Sequence, residues 1–270
     1  VQASVGVDPA VTVINNSPEL SADLRRALPS DVRIVDMETN EGFAGGANAA
    51  LRDWYANLPL AELAVIGAHD MHVDVSCLAA LVAASRARSD YGVVGPIMTQ
   101  PFTSSGGTWT RRGGRQVPLS ESTDEPFWER DWISGTCMLW RKECALDVGG
   151  FDIGLKSYCE DLDVCLRARE KGWKVGVTAD ATAWGLGSAS PNALALVEAN
   201  TVRVIRRHEG VYQGLLAEGR LLASCLRSLA GTVAVWRPRG RRLDSRHQLS
   251  IHVESVRIAF GHHFWAGGTG

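Results

Sequence analysis

The sequence has no Cys-x-x-Cys pair and no cysteine or histidine set at zinc-ligand spacing, which removes the common structural zinc sites. It has no Gly-Lys-Ser/Thr after a glycine-rich loop and no strict dinucleotide-binding spacing, so neither a Walker loop nor a Rossmann fingerprint is present. No leader pattern opens it and no apolar run reaches bilayer length. Internal repeats and low-complexity tracts are absent. Neither charge dominates: 28 Lys and Arg stand against 30 Asp and Glu, a net charge of −2, which removes any global pull toward nucleic acid.

What is present describes a globular chain. Its 270 residues, 45% hydrophobic and 21% charged, suffice for one large domain with an appendage. Six cysteines (77, 137, 144, 159, 165 and 225) lie mostly among apolar residues and read as small buried hydrophobes of a reducing compartment. Arg237, Arg239, Arg241, Arg242 and Arg246 cluster near the C-terminus, either as an exposed connector or as a contact for anionic lipid or a partner. The expected location is the cytoplasm, with the inner face of the membrane as the surface such a cluster would meet.

Strand-like runs alternate with helical ones. Val11–Ile14, Val32–Val35, Leu63–Ile66, Tyr91–Pro96 and Trp173–Thr178 are β-rich; Glu19–Leu28, a segment through Leu58, Cys77–Ser89 and Asn192–His208 carry helical periodicity. This alternation predicts an α/β fold. Residues 99–130, rich in Gly, Ser, Thr, Pro and Trp, predict loops and short strands, and 182–190 a flexible loop. Val211–Trp236 and His252–Phe264 predict apolar-faced helices that pack on the main domain, on a second subunit or on lipid.

Three stretches carry chemistry. Asn40-Glu-Gly-Phe-Ala-Gly-Gly-Ala-Asn48 opens a helix with small residues, either a diphosphate cradle of backbone N–H groups or a tight packing device. Gly67-Ala-His-Asp70 follows an apolar strand, where open α/β sheets bind ligands; Asp70 alone would also suit a turn. Trp132–Trp140 reads as a buried strand running on to Gly149-Gly-Phe-Asp152. Then Glu160, Asp161 and Asp163 fall in the first turn of an amphipathic helix whose Arg167, Arg169, Glu170 and Lys171 are expected to face water.

Taken in order over residues 10–208, these segments resemble the inverting family 2 glycosyltransferases of GT-A fold, especially their rhamnosyltransferase-like branch. Val-Ile-Asn15-Asn16-Ser is similar to the family's Asp-Asn-x-Ser strand end, and Asn40–Asn48 to its Asn-x-Gly-Phe-Ala-Gly-Gly-Asn-Asn helix start. Gly67–Asp70 stands where the family has Asn-Pro-Asp or Asp-x-Asp. Ser134-Gly-Thr-Cys-Met-Leu, Gly149-Gly-Phe-Asp152 and Glu160-Asp161-x-Asp163 follow the acceptor-side block, and Asn200-x-x-Arg203 the Asn-Arg signature after it.

The resemblance implies a GT-A domain over 1–208, a mixed sheet flanked by helices, with a helical extension over 209–270. It implies transfer of a sugar, with inversion, from a dTDP- or UDP-linked donor, a deoxyhexose such as rhamnose in this branch, to a hydroxyl of an unknown glycan, lipid-linked or small-molecule acceptor. Asp161 becomes the general base and Glu160 holds the acceptor. Asn15, Asn16, Asn40, Gly45, Gly46, Asn48 and Asp70 line the donor side. Gly135, Trp184 and Asp163 lie on the acceptor side, Asp163 capping or bracing its helix. A divalent cation, Mg²⁺ or Mn²⁺, is implied through Asp70 alone, because Ala68 replaces the first acid of the turn and Trp184 stands near where relatives place a histidine. The family's first strand has no counterpart from Val1 onward, which predicts two open sheet edges. The rival reading is a catalytically weak sugar-nucleotide-binding or scaffold protein. Peripheral membrane contact or a homo-oligomer through the C-terminal helices is expected in either case.

Overall fold

A computed structural model describes residues 4–99, 105–110, 115–118, 125–185, 192–234 and 249–259. The chain begins with β1 (Thr12–Asn15), a single 3₁₀ turn, α1 (Ser21–Ala27) and β2 (Arg33–Asp36), then α2 (Gly42–Asn57), β3 (Leu63–Gly67), β4 (Met71–Val73) and α3 (Cys77–Ala87). It continues through β5 (Tyr91–Met98), β6 (Gly106–Thr110), β7 (Arg115–Pro118), β8 (Phe127–Arg130), β9 (Trp132–Ile133) and β10 (Cys137–Arg141). Next come α4 (Lys142–Val148), α5 (Glu160–Glu170), β11 (Lys174–Gly185), α6 (Ala193–Glu209) and α7 (Val211–Ala234); residues 249–259 are also helical.

The main sheet has six strands, β3-β10-β5-β11-β4 with β8 also on β11. β5 is its spine. An unbroken run of small and apolar residues is what a strand covered on both faces requires, and nearly all of β5 is buried. It pairs parallel with β11 and antiparallel with β10. Cys77 and Leu81 of α3 pack with Val94, Leu139, Ala181 and Ala183 in the core. Five of the six cysteines are buried free thiols, and burial pushes Cys144 up to about 12.

β1 and β2 form a separate, parallel two-stranded sheet, and α2 packs on both β1 and β3. The β3–β10 register, with Glu62 O accepting from Lys142 N and Ala68 N donating to Thr136 O, makes the even-numbered residues 62 to 68 the bonded ones. Leu63, Val65 and Gly67 therefore turn their backbone groups to the other edge, where no described strand lies. On β1, Val11 and Asn15 accept from the β2 side, so Thr12 and Ile14 face an edge equally without a described strand.

Several expectations are corrected. Thr182–Gly185 is not loop but the far half of β11, held by pairing with β4 after a register shift at Thr178/Thr182; the rest of 182–190 lies outside the described residues apart from these four. The strand expected over 132–140 is two strands, parted by a turn at Ser134–Thr136. α4 intervenes before the Gly-Gly turn and ends on Gly149 at φ +75°, the left-handed cap position that glycine tolerates. Arg167 does not face water: its side chain is 14% exposed because it pairs with buried Asp163 at 2.8 Å.

The chain divides into two units, Val1–Trp109 with Gln116–Ser188, and Thr110–Arg115 with Ala189–Gly270. α6 thus groups with α7, one helix earlier than the 208/209 boundary read from the sequence. In the second unit Arg206 pairs with Glu218 at 3.1 Å, and Ser255 and His252 both reach Glu198. Asn200 is buried and accepts from Arg203, which also donates to Ile258 O, so this Asn-x-x-Arg pair braces the second unit internally.

Candidate active site

The turn Ser134–Thr136 is the hinge of the site. Gly135 N–H donates to Asp161 Oδ2 at 2.9 Å, while Thr136 O accepts from Ala68 N at 3.0 Å. One three-residue link therefore ties the N-terminus of α5 to the turn that carries Asp70. The approach is close, since a Cβ at Gly135 would sit 3.1 Å from that of Asp161 and push it back by a few tenths of an ångström.

Glu160 and Asp161 open α5. Asp161 is half-buried and takes a second N–H, from Leu162 at 2.8 Å. Burial raises its pKa against the pull of those N–H groups. Glu160 is buried, its Oε2 has no hydrogen-bond partner, and burial with the Asp161 charge beside it lifts its carboxyl to about 8. At neutral pH Glu160 keeps its proton, and the two N–H donors on Asp161 favour the charge there over the Glu160 carboxyl. Asp163 turns inward, 1% exposed, and Arg167 joins it to Val148 O. It braces α5, the role expected of it beside its acceptor-side place.

The donor-side residues gather near the carboxyl ends of β1 and β2 and the start of α2, but most of their polar atoms are already engaged. Asn15 donates to Asp36 Oδ1 at 2.7 Å and accepts from Ser17 N. Asn16 donates to Gly42 O and accepts from Glu41 N. Asn40 accepts from Gly42 N and is otherwise exposed. Asn48 makes two bonds to Phe151, at 2.9 and 2.8 Å, clamping α2 to the Gly-Gly turn. That clamp engages both polar atoms of its amide.

Backbone N–H groups at the start of α2 are engaged as well. Phe43 N donates to Ser157 Oγ and Ala44 N to Lys156 O, so the first turn of α2 is occupied by the loop before α5. Gly45 packs tightly on Glu41, whereas a Cβ at Gly46 would make only ordinary contact with Asn16 and Ile14.

Asp70 lies half-buried just past β3. Register sets His72 of β4 opposite Trp184 of β11, and their rings stack at 5.6 Å and 7°. Trp184 remains 38% exposed, an aromatic face beside the Asp70 turn. A hollow of about 470 Å³ opens at the other end, lined in part by Asp36, Glu41, Arg52 and Asp53 and by no residue around Asp161.

Residues 10–206 match the family model described as glycosyltransferase like family 2. The chain belongs to glycosyltransferase family 2. The domain is 30% identical over 209 residues, 70% of this chain, to an O-antigen biosynthesis protein RfbC of Myxococcus xanthus, and spans 16% of that relative's length. Among solved structures it is similar to GalNAc-T7 with UDP, GalNAc and Mn²⁺ (TM-score 0.57, 14% identity, 90% of this chain and 49% of that one). It is also similar to the mannosyltransferase PcManGT of Pyrobaculum calidifontis with GDP-Man and Mn²⁺ (TM-score 0.50, 14% identity, 96% and 80%). The fold is GT-A.

For a divalent cation, the family 2 domain offers Asp70 but no group of three or more ligating side chains among the described residues. Such a donor set does not make an all-protein cage. It does fit a hard cation that brings water and shares the oxygens of a substrate diphosphate. Two features escaped the sequence. Asp36, at the end of β2, is held by Asn15, Ser21 and Arg25, whose hydrogen bonds keep its carboxyl below the ordinary range. The rule that marked Asp70, an acid at a strand's carboxyl end, would have found it. Lys156, Tyr158 and Cys159 all have positive φ, at 56°, 68° and 66°, immediately before the carboxylate pair. Side chains of their type do not announce such strain.

Proposed function

We propose that the domain transfers a sugar from a nucleotide-diphospho-sugar to an acceptor hydroxyl with inversion, and that Asp161 is the base. The observation that carries this reading is the carboxylate pair. Asp161 is half-accessible, accepts N–H bonds from Gly135 and Leu162, and stands next to a Glu160 that keeps its proton at neutral pH. The acceptor oxygen attacks the anomeric carbon as the bond to the diphosphate breaks on the opposite face. Its proton passes to Asp161, and the electron pair of the broken bond leaves on the diphosphate. Glu160, as an acid, can donate a hydrogen bond to the acceptor or donor sugar. Asp70 would hold a divalent cation, which when bound offsets charge on the leaving diphosphate.

The Myxococcus relative is named for O-antigen biosynthesis, and this supports a surface-glycan acceptor. UDP and GDP-Man in the two similar structures support a diphosphate-linked donor. We assign a dTDP- or UDP-linked deoxyhexose such as rhamnose on the branch resemblance. In the test, Asp161→Asn should lose transfer by about a thousandfold or more while binding nucleotide as before. Turnover near the wild-type rate sinks the assignment. A second reading, a catalytically weak sugar-nucleotide-binding or scaffold protein, is supported by the Asp70 turn, where Ala68 and Trp184 offer a cation no side-chain ligand. Thermal shift against uridine, thymidine and guanosine diphosphates, with and without Mn²⁺, separates the two from a chain that binds nothing.

A further inference from the structure

α7 has one face committed and one face open. Gly214, Ala217 and Leu221 are buried, and a Cβ at Gly214 would strike Arg206 of α6. On the other side Val211, Tyr212, Leu215, Leu216, Leu222 and Leu226 are exposed by 38% to 70%. At 3.6 residues per turn these six fall within about 140° of the helix circumference. Gly219 sits mid-arc with nothing near its Cβ direction. Exposed Arg220 and Arg227 follow one rim of the arc. Glu218 is the single carboxylate between 211 and 227, and it is turned to Arg206.

We infer that this outer face of α7 docks on an anionic lipid surface, the apolar arc entering the acyl boundary and the arginine rim meeting the headgroups. Charge decides the occupant. The face offers leucines, a tyrosine and two guanidiniums but no carboxylate, and a bilayer with anionic headgroups complements all three. In sequence, the next stretch adds five arginines between 237 and 246 against one aspartate. A second copy docked face to face would bring four guanidiniums and no carboxylate into one interface, with like charges opposed. The contact lies along the surface, because no helix among the described residues is long and apolar enough to cross a membrane. This inference is independent of the transfer reading, since none of these residues belongs to the site.

The experiment is flotation of the purified chain at low salt with phosphatidylcholine vesicles, with and without phosphatidylglycerol. The expected result is association with the anionic vesicles only, reversed by added salt. The triple variant Leu215→Asn, Leu222→Asn, Leu226→Asn should abolish it, and the pair Arg220→Gln, Arg227→Gln should weaken it about thirtyfold. All five positions are exposed, and thermal melts matching the wild type show that the variants fold. Absence of flotation at low salt overturns the inference, as does equal binding to neutral vesicles. A vesicle-independent dimer in sedimentation, dissolved by the leucine variant, also overturns it and gives the face to a second copy.

Discussion

Glu160 and Asp161 are neighbours in sequence with different electrostatic fates. Asp161 has two N–H donors and partial access to water; Glu160 has burial and a negative neighbour. Because the folded pKa of Glu160, about 8, lies above its ordinary 4.5, the folded chain binds more protons than the unfolded one between those values. Stability therefore falls as pH rises from about 4.5 to about 8, with a slope that approaches about 1.4 kcal/mol per unit for one group. Glu160→Gln mimics the protonated acid and cannot titrate. Its denaturant midpoint should lose that decline, leaving it more stable relative to wild type at pH 8 than at pH 5. An unchanged slope would mean that Glu160 is ionised in the folded chain. The alkaline limb of a transfer assay near pH 8 should vanish with it if the Glu160 proton is used.

At the scale of elements, α2 is held from three sides, on two of them by side chains that looked like ligand contacts. Asn16 ties it to the end of β1, Ser157 and Lys156 to the loop before α5, and Asn48 to the Gly-Gly turn. Asn48→Ala removes two hydrogen bonds and leaves Phe151 N and O with no partner there, so it should cost about 1–3 kcal/mol in denaturant unfolding. A loss under about half a kcal/mol would show that water replaces the amide. These elements also show what the sequence made legible. The β-rich runs at 11–14, 32–35, 63–66 and 91–96 became strands because their apolar residues cover core whatever their partners. β4 and the second half of β11 are defined by each other, and a three-residue strand has no period to read. The Glu160–Asp161 pair was legible because its chemistry is local. The engagement of Asn15, Asn16 and Asn48 was not, since their partners lie 21 to 103 residues away.

For the whole molecule, the division of the sheet is the dominant fact. β1–β2 and the six-stranded sheet share α2 but no hydrogen-bond ladder among the described residues. Amide exchange should report this directly. Within β3, Ala64 and Ile66 should be protected by β10, while Leu63, Val65 and Gly67 should exchange at least about a hundredfold faster. Uniform protection along β3 would mean that its outer edge is covered. Lys156, Tyr158 and Cys159 act at this scale too. Each left-handed residue costs of order 1 kcal/mol, and all three lie in the short stretch that leads into the carboxylate pair. Heat resistance and turnover therefore pull on the same few residues in opposite directions. A laboratory selection for survival at high temperature alone would drift first toward Lys156→Gly, Tyr158→Gly and Cys159→Gly, and its winners would be sturdier and slower catalysts than their parent.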